Sequence, residues 1–389
     1  MTAPPQLERL PSLTGLRCAA ALAVFVCHAA ILVAQDRGGP IPRAQVFAVV
    51  LGPVGVSFFF VLSGFVLTHS ARATETAGRF WSRRGFRIYP AHLAVWGLCM
   101  VLFHGAGVPR VTAAGPAGDL AGALLVHTLI PVGRIPAGGN SVTWSLTCEL
   151  VFSLCFPFLL PVVLRLRHRH LRYAAAGAVL VTWAVPLAAI SLPGAPVGLQ
   201  FPGLDMTEPQ VYLVYLFPLS RLAEFVLGMV LARMHARKPA AGPGVTLSGT
   251  LVLATAAAAL EWLPAPFLLA AATTVPNALL VRAAAAADVR REGYCLLRSR
   301  VVVLLGDLSY AFYLLHYPAL MAVRHVAGPS CPVFALVGVA LGASLIGSWL
   351  LHTRVERPTM RWFARRTASA RGDGPPHPLT GTPSSPSPG

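Results

Sequence analysis

The sequence predicts an all-α protein, a polytopic transmembrane helical bundle of about ten spans with both termini in the cytoplasm. Hydrophobic residues make up 55% of the 389 positions and charged residues only 12%, whereas soluble domains carry about 25% charged residues. Apolar runs of membrane-spanning length also recur along the whole chain. Together these observations exclude a soluble enzyme and indicate a membrane protein.

Ten apolar segments are long enough to cross a bilayer, which requires about 20 mainly apolar residues. The predicted spans are residues 16–34, 46–68, 89–108, 143–164, 172–192, 211–232, 245–262, 265–281, 301–320 and 332–353. A further apolar stretch, 118–132, is too short to cross and is expected to be re-entrant or interfacial. The predicted membrane-embedded domain covers residues 1–358, and residues 359–389 form a basic segment with a disordered Pro/Ser/Gly-rich tail.

The basic residues support this layout and indicate its orientation. With a cytoplasmic N-terminus, 24 of the 31 Lys and Arg residues fall in cytoplasmic segments and five fall outside. This bias is typical of multi-pass membrane proteins. The net charge of +17 therefore reflects topology, and no nucleic-acid partner is expected. The predicted location is the cell membrane of a bacterium, and the near absence of lysine suggests a GC-rich genome.

The first span contains two polar residues, Arg17 and His28. At 1.5 Å per residue His28 lies about 16 Å deeper than Arg17, near the midplane of a hydrocarbon core about 30 Å thick. A histidine can act there as a general base, and an interfacial arginine can bind phosphate. Acyl-coenzyme A, which has phosphates at one end and a thioester at the other, would span this pair. Alternatively, Arg17 is a topology anchor and His28 bonds a neighbouring helix.

A second group of arginines occurs in "RFWSRRGFRIYP", which places Arg83, Arg84 and Arg87 within one turn of each other. This spacing predicts a second phosphate clamp. The alternative is anchoring to anionic lipid.

Polar residues also occur inside later spans. Glu149 is expected in the outer half of the membrane, where a carboxylate is costly unless it is paired or protonated. It would bind acceptor hydroxyls, orient His28 or pair with Arg221, although Arg221 and Glu224 are spaced to neutralise each other. In the ninth predicted span, Tyr310, Tyr313 and His316 are three residues apart and form a polar stripe on one helical face. The stripe would line the active cavity, or alternatively its residues would form interhelical hydrogen bonds.

Six segments, in order, resemble motifs of the acyltransferase-3 family of integral-membrane O-acyltransferases. "TGLRCAAALAVFVCHA" is similar to its Arg-x10-His signature, and "RRGFRIYPAHL" to its Arg-x-x-Arg-Ile-x-Pro loop. "VTWSLTCELVF" resembles its Trp-Ser-Leu-x-x-Glu motif. Similar matches are "GVSFFFVLSGFVL", "RLAEFVLG" and "LGDLSYAFYLLHYP". The resemblance covers residues 10–358 and departs from the common pattern at Thr14 and Ser57, where the family frequently has aspartate.

The resemblance implies a membrane-bound O-acyltransferase that moves an acyl group, most simply acetyl, from acyl-CoA to a hydroxyl. The donor is a co-substrate, and no permanently bound cofactor is expected. Arg17, Arg83, Arg84 and Arg87 would then hold the CoA phosphates. His28 would be the base, with Glu149 and His316 as further catalytic residues, and a covalent acyl-histidine relay stays open. Tyr310, Tyr313 or Ser145 would stabilise the oxyanion, and Trp144 and Ser145 would contact the acceptor.

Two acceptor classes fit this activity. The "LPSLTGLR" opening and the GC-rich composition resemble antibiotic-modifying members, which favours a secondary metabolite such as a macrolide. The alternative acceptor is a cell-surface or exported polysaccharide. A carrier or flippase without chemistry is the competing class of function, since it would also use midplane polar residues. No metal is predicted, because no histidine pair has helical ligand spacing with a third ligand nearby.

Overall fold

The computed structural model describes residues 10–37, 40–72, 75–109, 114–131, 138–236, 244–290, 296–328 and 330–369. These residues form helices and connecting turns, and the β pairing among them is one isolated bridge between Pro196 and Thr207. The helices are α1 (Pro11–Arg37), α2 (Arg43–His69), α3 (Ala77–Met100), α4 (Gly115–Ala123), α5 (Trp144–Arg165), α6 (His168–Ala189), α7 (Glu208–Val211), α8 (Pro218–His235), α9 (Val245–Trp262), α10 (Ala265–Leu269), α11 (Thr274–Val289), α12 (Arg300–Ala327), α13 (Val333–Leu351) and α14 (Arg357–Ser369).

Ten helical segments in the described ranges are long and apolar enough to cross a membrane, which confirms the ten predicted spans. They are Pro11–Asp36, Arg43–His69, Ala77–Gly105, Ser141–Arg165, His168–Ala189, Glu208–His235, Val245–Trp262, Ala265–Val289, Arg300–Ala327 and Val333–Thr367. Successive spans alternate in direction, so the start of α1 and the start of α14 lie at one end of the bundle. We refer to this end as the terminal end.

The third span begins well before its predicted start. It begins at Ala77 rather than at residue 89, and the Thr76 side chain caps it by accepting a hydrogen bond from the backbone N–H of Arg79 (3.4 Å). The arginines that follow therefore lie on a helix rather than in a loop. A hydropathy threshold misses this start because long arginine side chains carry their charge to a polar site while their backbone continues the helix.

The apolar stretch 118–132 does not cross the bundle. It contains the short helix α4 and a single turn at His127–Leu129. The Asp119 carboxylate accepts a hydrogen bond from the backbone N–H of Gly139 (2.9 Å), and its carbonyl accepts one from the Trp96 indole (2.9 Å). These bonds hold the segment against α3 at the end opposite the terminal end.

Small residues bring the central helices into close contact. A Cβ atom at Gly64 would meet the carbonyl of Phe225, and one at Gly228 would meet the carbonyl of Val61, so α2 and α8 pack backbone to backbone. Such contacts are typical of helices packed within membranes. In the same way α12 approaches α1 at Gly306, whose missing side chain leaves room for the Thr14 carbonyl.

The N-terminal end of α1 is fixed by hydrogen bonds to α11. The backbone N–H of Ser12 donates to Asp288 Oδ2 (2.9 Å), and its hydroxyl donates to Oδ1 (2.6 Å). Together with the close approach of α12, these bonds set the rotation of α1 and thereby the direction of its polar face.

The last span continues into α14 through a wide turn at His352–Glu356. On α14, Trp362 and Phe363 pack against Phe86 of α3, with ring centroids 5.4 and 5.1 Å apart. The domain boundary drawn after residue 358 therefore falls inside a continuous helical segment. The predicted disordered tail, residues 370–389, lies outside the described residues.

Candidate active site

A cavity of about 360 Å³ at the terminal end gathers most of the residues singled out from the sequence. Its polar lining consists of Arg17, Ser63, Ser70, Arg83, Arg84, Arg87, Ser145, Glu149, Ser309, Tyr310 and Tyr313. The remaining wall is apolar and comes mainly from α2. Of the eleven predicted site residues, the cavity contains eight, and His28, Trp144 and His316 do not line it.

The four arginines of the cavity differ in their partners. Arg83 forms an ion pair with Glu75, with Nη2 2.7 Å from Oε2, and Arg84 forms one with Glu149. Among the described residues, neither Arg17 nor Arg87 has a carboxylate within ion-pair distance. Arg17 is half-buried and Arg87 is exposed, so both guanidinium groups can be reached by a ligand. Because no ion pair occupies them, they indicate a site for an anionic ligand.

Glu149 lies in the same cavity as the arginines rather than in a separate outer region. Its partner is Arg84, whose Nε also donates to the Ser153 hydroxyl (3.2 Å). The structure thus places Glu149 beside the cavity arginines, whereas the sequence led us to expect it in the outer half of the membrane. The pairing is possible because α3 begins early and places Arg84 within the bundle, where its long side chain reaches α5.

Arg221, the other partner considered for Glu149, belongs to a different cluster. Its Nε donates to Glu224 Oε2 (2.9 Å), its Nη2 to the Ser57 hydroxyl (2.9 Å) and its Nη1 to the Leu269 carbonyl (2.7 Å). Arg221 and Glu224 are 1% and 0% exposed, respectively. This set, which we term the Arg221 cluster, does not line the cavity.

The inner part of the cavity is closed by Tyr313 and Ser145. The Tyr313 hydroxyl donates to the carbonyl of Val142 (3.0 Å), because a carbonyl oxygen only accepts, and the Ser145 hydroxyl donates to the Tyr313 oxygen (2.7 Å). The Tyr310 hydroxyl similarly donates to the Ile88 carbonyl (2.8 Å). The phenol protons expected to stabilise an oxyanion are thus engaged with the backbone, so that role requires Tyr310 or Tyr313 to change partner.

His28 and His316 form a hydrogen-bonded pair beyond Tyr313. His28 Nδ1 lies 2.9 Å from the Val24 carbonyl, and His316 Nδ1 lies 2.7 Å from the Tyr313 carbonyl. Each Nδ1 must carry a proton, because its carbonyl partner only accepts. His316 Nε2, 3.2 Å from His28 Nδ1, then accepts from His28. Nε2 of His28 is left as an unprotonated nitrogen that can act as a base.

Tyr313 connects the cavity to the histidine pair. Its side chain lines the cavity, and its ring centroid is 5.6 Å from that of His316. Arg17 and His28 are eleven residues apart, which is close to three full helical turns, so both lie on the same face of α1. The arginines, Tyr313 and the two histidines therefore follow one another from the terminal end inwards.

Trp144 does not contact the cavity. It is buried against Tyr215 and Phe60, with ring centroids 4.2 and 6.2 Å apart. The structure thus gives Trp144 a packing contact where the sequence predicted an acceptor contact. The physical reason is the rotation of α5, which turns Ser145 and Glu149 towards the cavity and Trp144 towards Tyr215 and Phe60.

Sequence reasoning missed two serines of the cavity. Ser63 lies in the "VLSGF" stretch of α2, where its small size is the only signal in the sequence, yet it lines the cavity. Ser309 was not considered. It lies next to Tyr310 and four residues before Tyr313, so the polar stripe of α12 was the signal that could have identified it.

Comparisons with known proteins agree with this architecture. A family model described as an acyltransferase domain matches residues 10–353. The chain is 37% identical over 390 residues to Acyltransferase MdmB of Streptomyces mycarofaciens, an alignment that covers 96% of this chain and 97% of that protein.

Two rhizobial proteins are more distantly similar. The chain is 26% identical over 346 residues to Exopolysaccharide production protein ExoZ of Rhizobium meliloti, covering 82% of this chain and 93% of that protein. It is 28% identical over 138 residues to Nodulation protein 10 of Rhizobium leguminosarum bv. viciae, covering 32% and 38%. No solved structure is significantly similar. The family match over residues 10–353 and the near full-length similarity to MdmB show that the chain belongs to the acyltransferase-3 family and is a multi-pass membrane acyltransferase.

Proposed function

We propose that this acyltransferase moves an acyl group, most simply acetyl, from acyl-CoA to a hydroxyl of a secondary metabolite such as a macrolide. The observation that carries this proposal is the presence of two arginines, Arg17 and Arg87, without a carboxylate partner among the described residues, in a cavity that leads towards a histidine pair. A carrier without chemistry would not need a base at the inner end of an anion site.

The donor site comprises the arginines of the cavity. Guanidinium groups bind phosphate through paired hydrogen bonds, and CoA carries a diphosphate and a 3′-phosphate. Arg17 and Arg87 are available for these phosphates without breaking an ion pair, whereas Arg83 and Arg84 must share or exchange their carboxylate partners. The terminal end, which the basic residues predict to be cytoplasmic, is the side on which acyl-CoA is available.

His28 is the general base of the proposed reaction. Its Nε2 removes the proton from the acceptor hydroxyl while the acceptor oxygen attacks the thioester carbonyl. The carbon–sulfur bond then breaks, and the proton passes from His28 to the leaving thiolate, which gives an ester and free CoA. His316 is a positioning residue, because its Nε2 accepts from His28 Nδ1 and holds the other nitrogen of His28 in the basic form.

Tyr313 separates the cavity from the histidine pair, so the thioester has to pass it. Movement of the Tyr313 side chain away from the Val142 carbonyl opens this passage. The same movement frees the phenol proton for the developing oxyanion. Donor binding and completion of the reactive site are therefore coupled in the proposed mechanism.

The acceptor is inferred from the relatives. Similarity over nearly the full length of both chains to an acyltransferase of a Streptomyces species supports a secondary-metabolite hydroxyl. The similarity to ExoZ, a protein of exopolysaccharide production, supports a polysaccharide hydroxyl as the second candidate. The higher identity and wider coverage of the first relative favour the metabolite.

Product analysis tests both parts of this proposal. Purified protein is incubated with acetyl-CoA and a panel of hydroxylated macrolides, and free thiol and the acceptor mass are followed. We expect CoA release and a mass increase of one acetyl group in the wild type, and neither in folded His28→Ala. In parallel, extracts of cells with and without the gene are compared. An acyl mass shift on surface glycan alone would move the acceptor to the second candidate.

A further inference from the structure

Ser309 is a buried residue whose hydroxyl has no hydrogen-bond partner among the described residues, although it lines the cavity. Only 2% of its surface is exposed. Burying a hydroxyl without a partner is costly, because the group loses its hydrogen bonds to water. Such a group is therefore retained where it meets a polar partner that enters the site.

Three buried hydroxyls on other helices of this protein behave differently. Ser153, Thr182 and Ser344 each donate to the carbonyl four residues earlier, at 2.8, 2.9 and 2.6 Å. This is the usual bond of serine and threonine within a helix. Ser309 does not make this bond, although it is a residue of the cavity lining.

The depth of Ser309 is set by the contact between α12 and α1. The two helices touch where Gly306 meets the Thr14 carbonyl. Both helices run inwards from the terminal end, and Arg17 and Ser309 each lie three residues beyond this contact. Ser309 is thus at the level of Arg17, and Tyr313 and His316 follow further inwards on α12.

The part of the cavity wall that α2 supplies is largely apolar. Phe59, Leu62 and Val66 of α2 line the cavity, as does Ile88 of α3. The part of a ligand that is held here must be mostly apolar. It must also carry a hydrogen-bonding group a short distance from the ligand's phosphates. The pantetheine arm of CoA has this pattern. A dimethyl-bearing carbon separates the diphosphate from a hydroxyl and the first amide, and two methylenes separate the first amide from the second.

We propose that Ser309 hydrogen-bonds the pantetheine amide closest to the phosphates, and that the apolar half of the cavity is the subsite for the pantetheine arm. This inference rests on the proposed CoA donor. It makes Ser309 a specificity-determining residue that distinguishes a ligand with the arm from the nucleotide head alone.

Equilibrium binding to the purified full-length protein tests this assignment. Acetyl-CoA is compared with 3′-phosphoadenosine 5′-diphosphate, the head group without the arm, on wild type, Ser309→Ala and Ser344→Ala. Ser344→Ala removes a buried helical hydroxyl remote from the cavity and is the matched control. We expect Ser309→Ala to weaken acetyl-CoA binding about three- to tenfold and to leave binding of the head group unchanged.

The other outcomes separate the two proposals. Unchanged acetyl-CoA affinity in Ser309→Ala overturns the arm assignment while leaving the donor site intact. Equal loss for both ligands also overturns it, since the hydroxyl would then act on the phosphates or on the fold. A folded wild-type protein that binds neither ligand contradicts the CoA donor itself, and with it the role of Ser309.

Discussion

Two groups of arginines inside this bundle differ in how their charge is compensated. In the Arg221 cluster every nitrogen of the guanidinium group donates a hydrogen bond, and Glu224 neutralises the charge. In the cavity, Arg17 and Arg87 have no carboxylate partner in the described part of the chain. The two groups also differ in burial, since Arg221 is fully buried, Arg17 is half-buried and Arg87 is exposed. The difference shows that a structural arginine is both enclosed and neutralised by the protein, whereas a binding arginine is left open and unpaired where a ligand supplies the anion.

The largest expected effect is on stability, from Arg221→Ala. This change leaves the Glu224 carboxylate buried without its counter-charge, which typically costs 3–5 kcal/mol. Thermal unfolding of the purified protein in detergent measures the loss, with the exposed Arg169→Ala as the matched control. Simultaneous replacement, Arg221→Met with Glu224→Leu, should recover much of the stability. If Arg221→Ala instead unfolds like the wild type but no longer binds donor, the structural assignment of this cluster is wrong.

Arg87→Ala is expected to act on binding alone. Loss of a charge-assisted bond to phosphate should weaken acetyl-CoA binding about tenfold or more, while the unfolding temperature stays close to that of the wild type. Arg87→Lys should recover part of the affinity, since lysine keeps the charge but not the paired geometry. Marked destabilisation by Arg87→Ala, without a change in donor affinity, would remove the contrast between the two groups.

Glu149→Gln is expected to change donor affinity less than Arg87→Ala does, and in the opposite direction. The amide oxygen can still accept from Arg84, but the negative charge inside the cavity is removed. Binding of the polyanionic donor should therefore become a few-fold tighter. Titration with CoA measures this change, and weaker binding would show that the Glu149 carboxylate is needed to hold Arg84 in place.

Salt should produce the smallest effect and should act on the cavity only. Because screening weakens interactions that water and ions can reach, raising NaCl from about 50 to 200 mM should weaken acetyl-CoA binding, by less than the change expected for Glu149→Gln. The unfolding temperature of the ligand-free protein, which depends on the dry Arg221 cluster, should change little. If salt changed the unfolding temperature as much as it changed acetyl-CoA binding, the cavity and the Arg221 cluster would not differ in their accessibility to ions.

The sequence was sufficient for the parts of the molecule that depend on local composition. Hydropathy predicted all ten spans, and the Arg-x10-His spacing placed Arg17 and His28 on one face of α1. It could not locate the start of α3, since the arginines of its first turns do not register as apolar.

Contacts between distant segments required the structure. Glu149 and Arg84 are 65 positions apart, and their pairing follows from the relative depth of two helices. The direction of Trp144 depends on the rotation of α5. The unpartnered hydroxyl of Ser309 is recognisable only once the bonds of its neighbours are known.

Thermal stabilisation by acetyl-CoA is the most direct test of the central claim that a phosphate-binding cavity and a separate reactive histidine lie on one face of α1. Purified wild type, Arg17→Ala and His28→Ala are compared in detergent. The wild type and His28→Ala should be stabilised alike, because His28 is beyond the cavity, and Arg17→Ala should lose most of the stabilisation. Stabilisation that survives in Arg17→Ala but disappears in His28→Ala, or that is absent from folded wild type, would contradict the account.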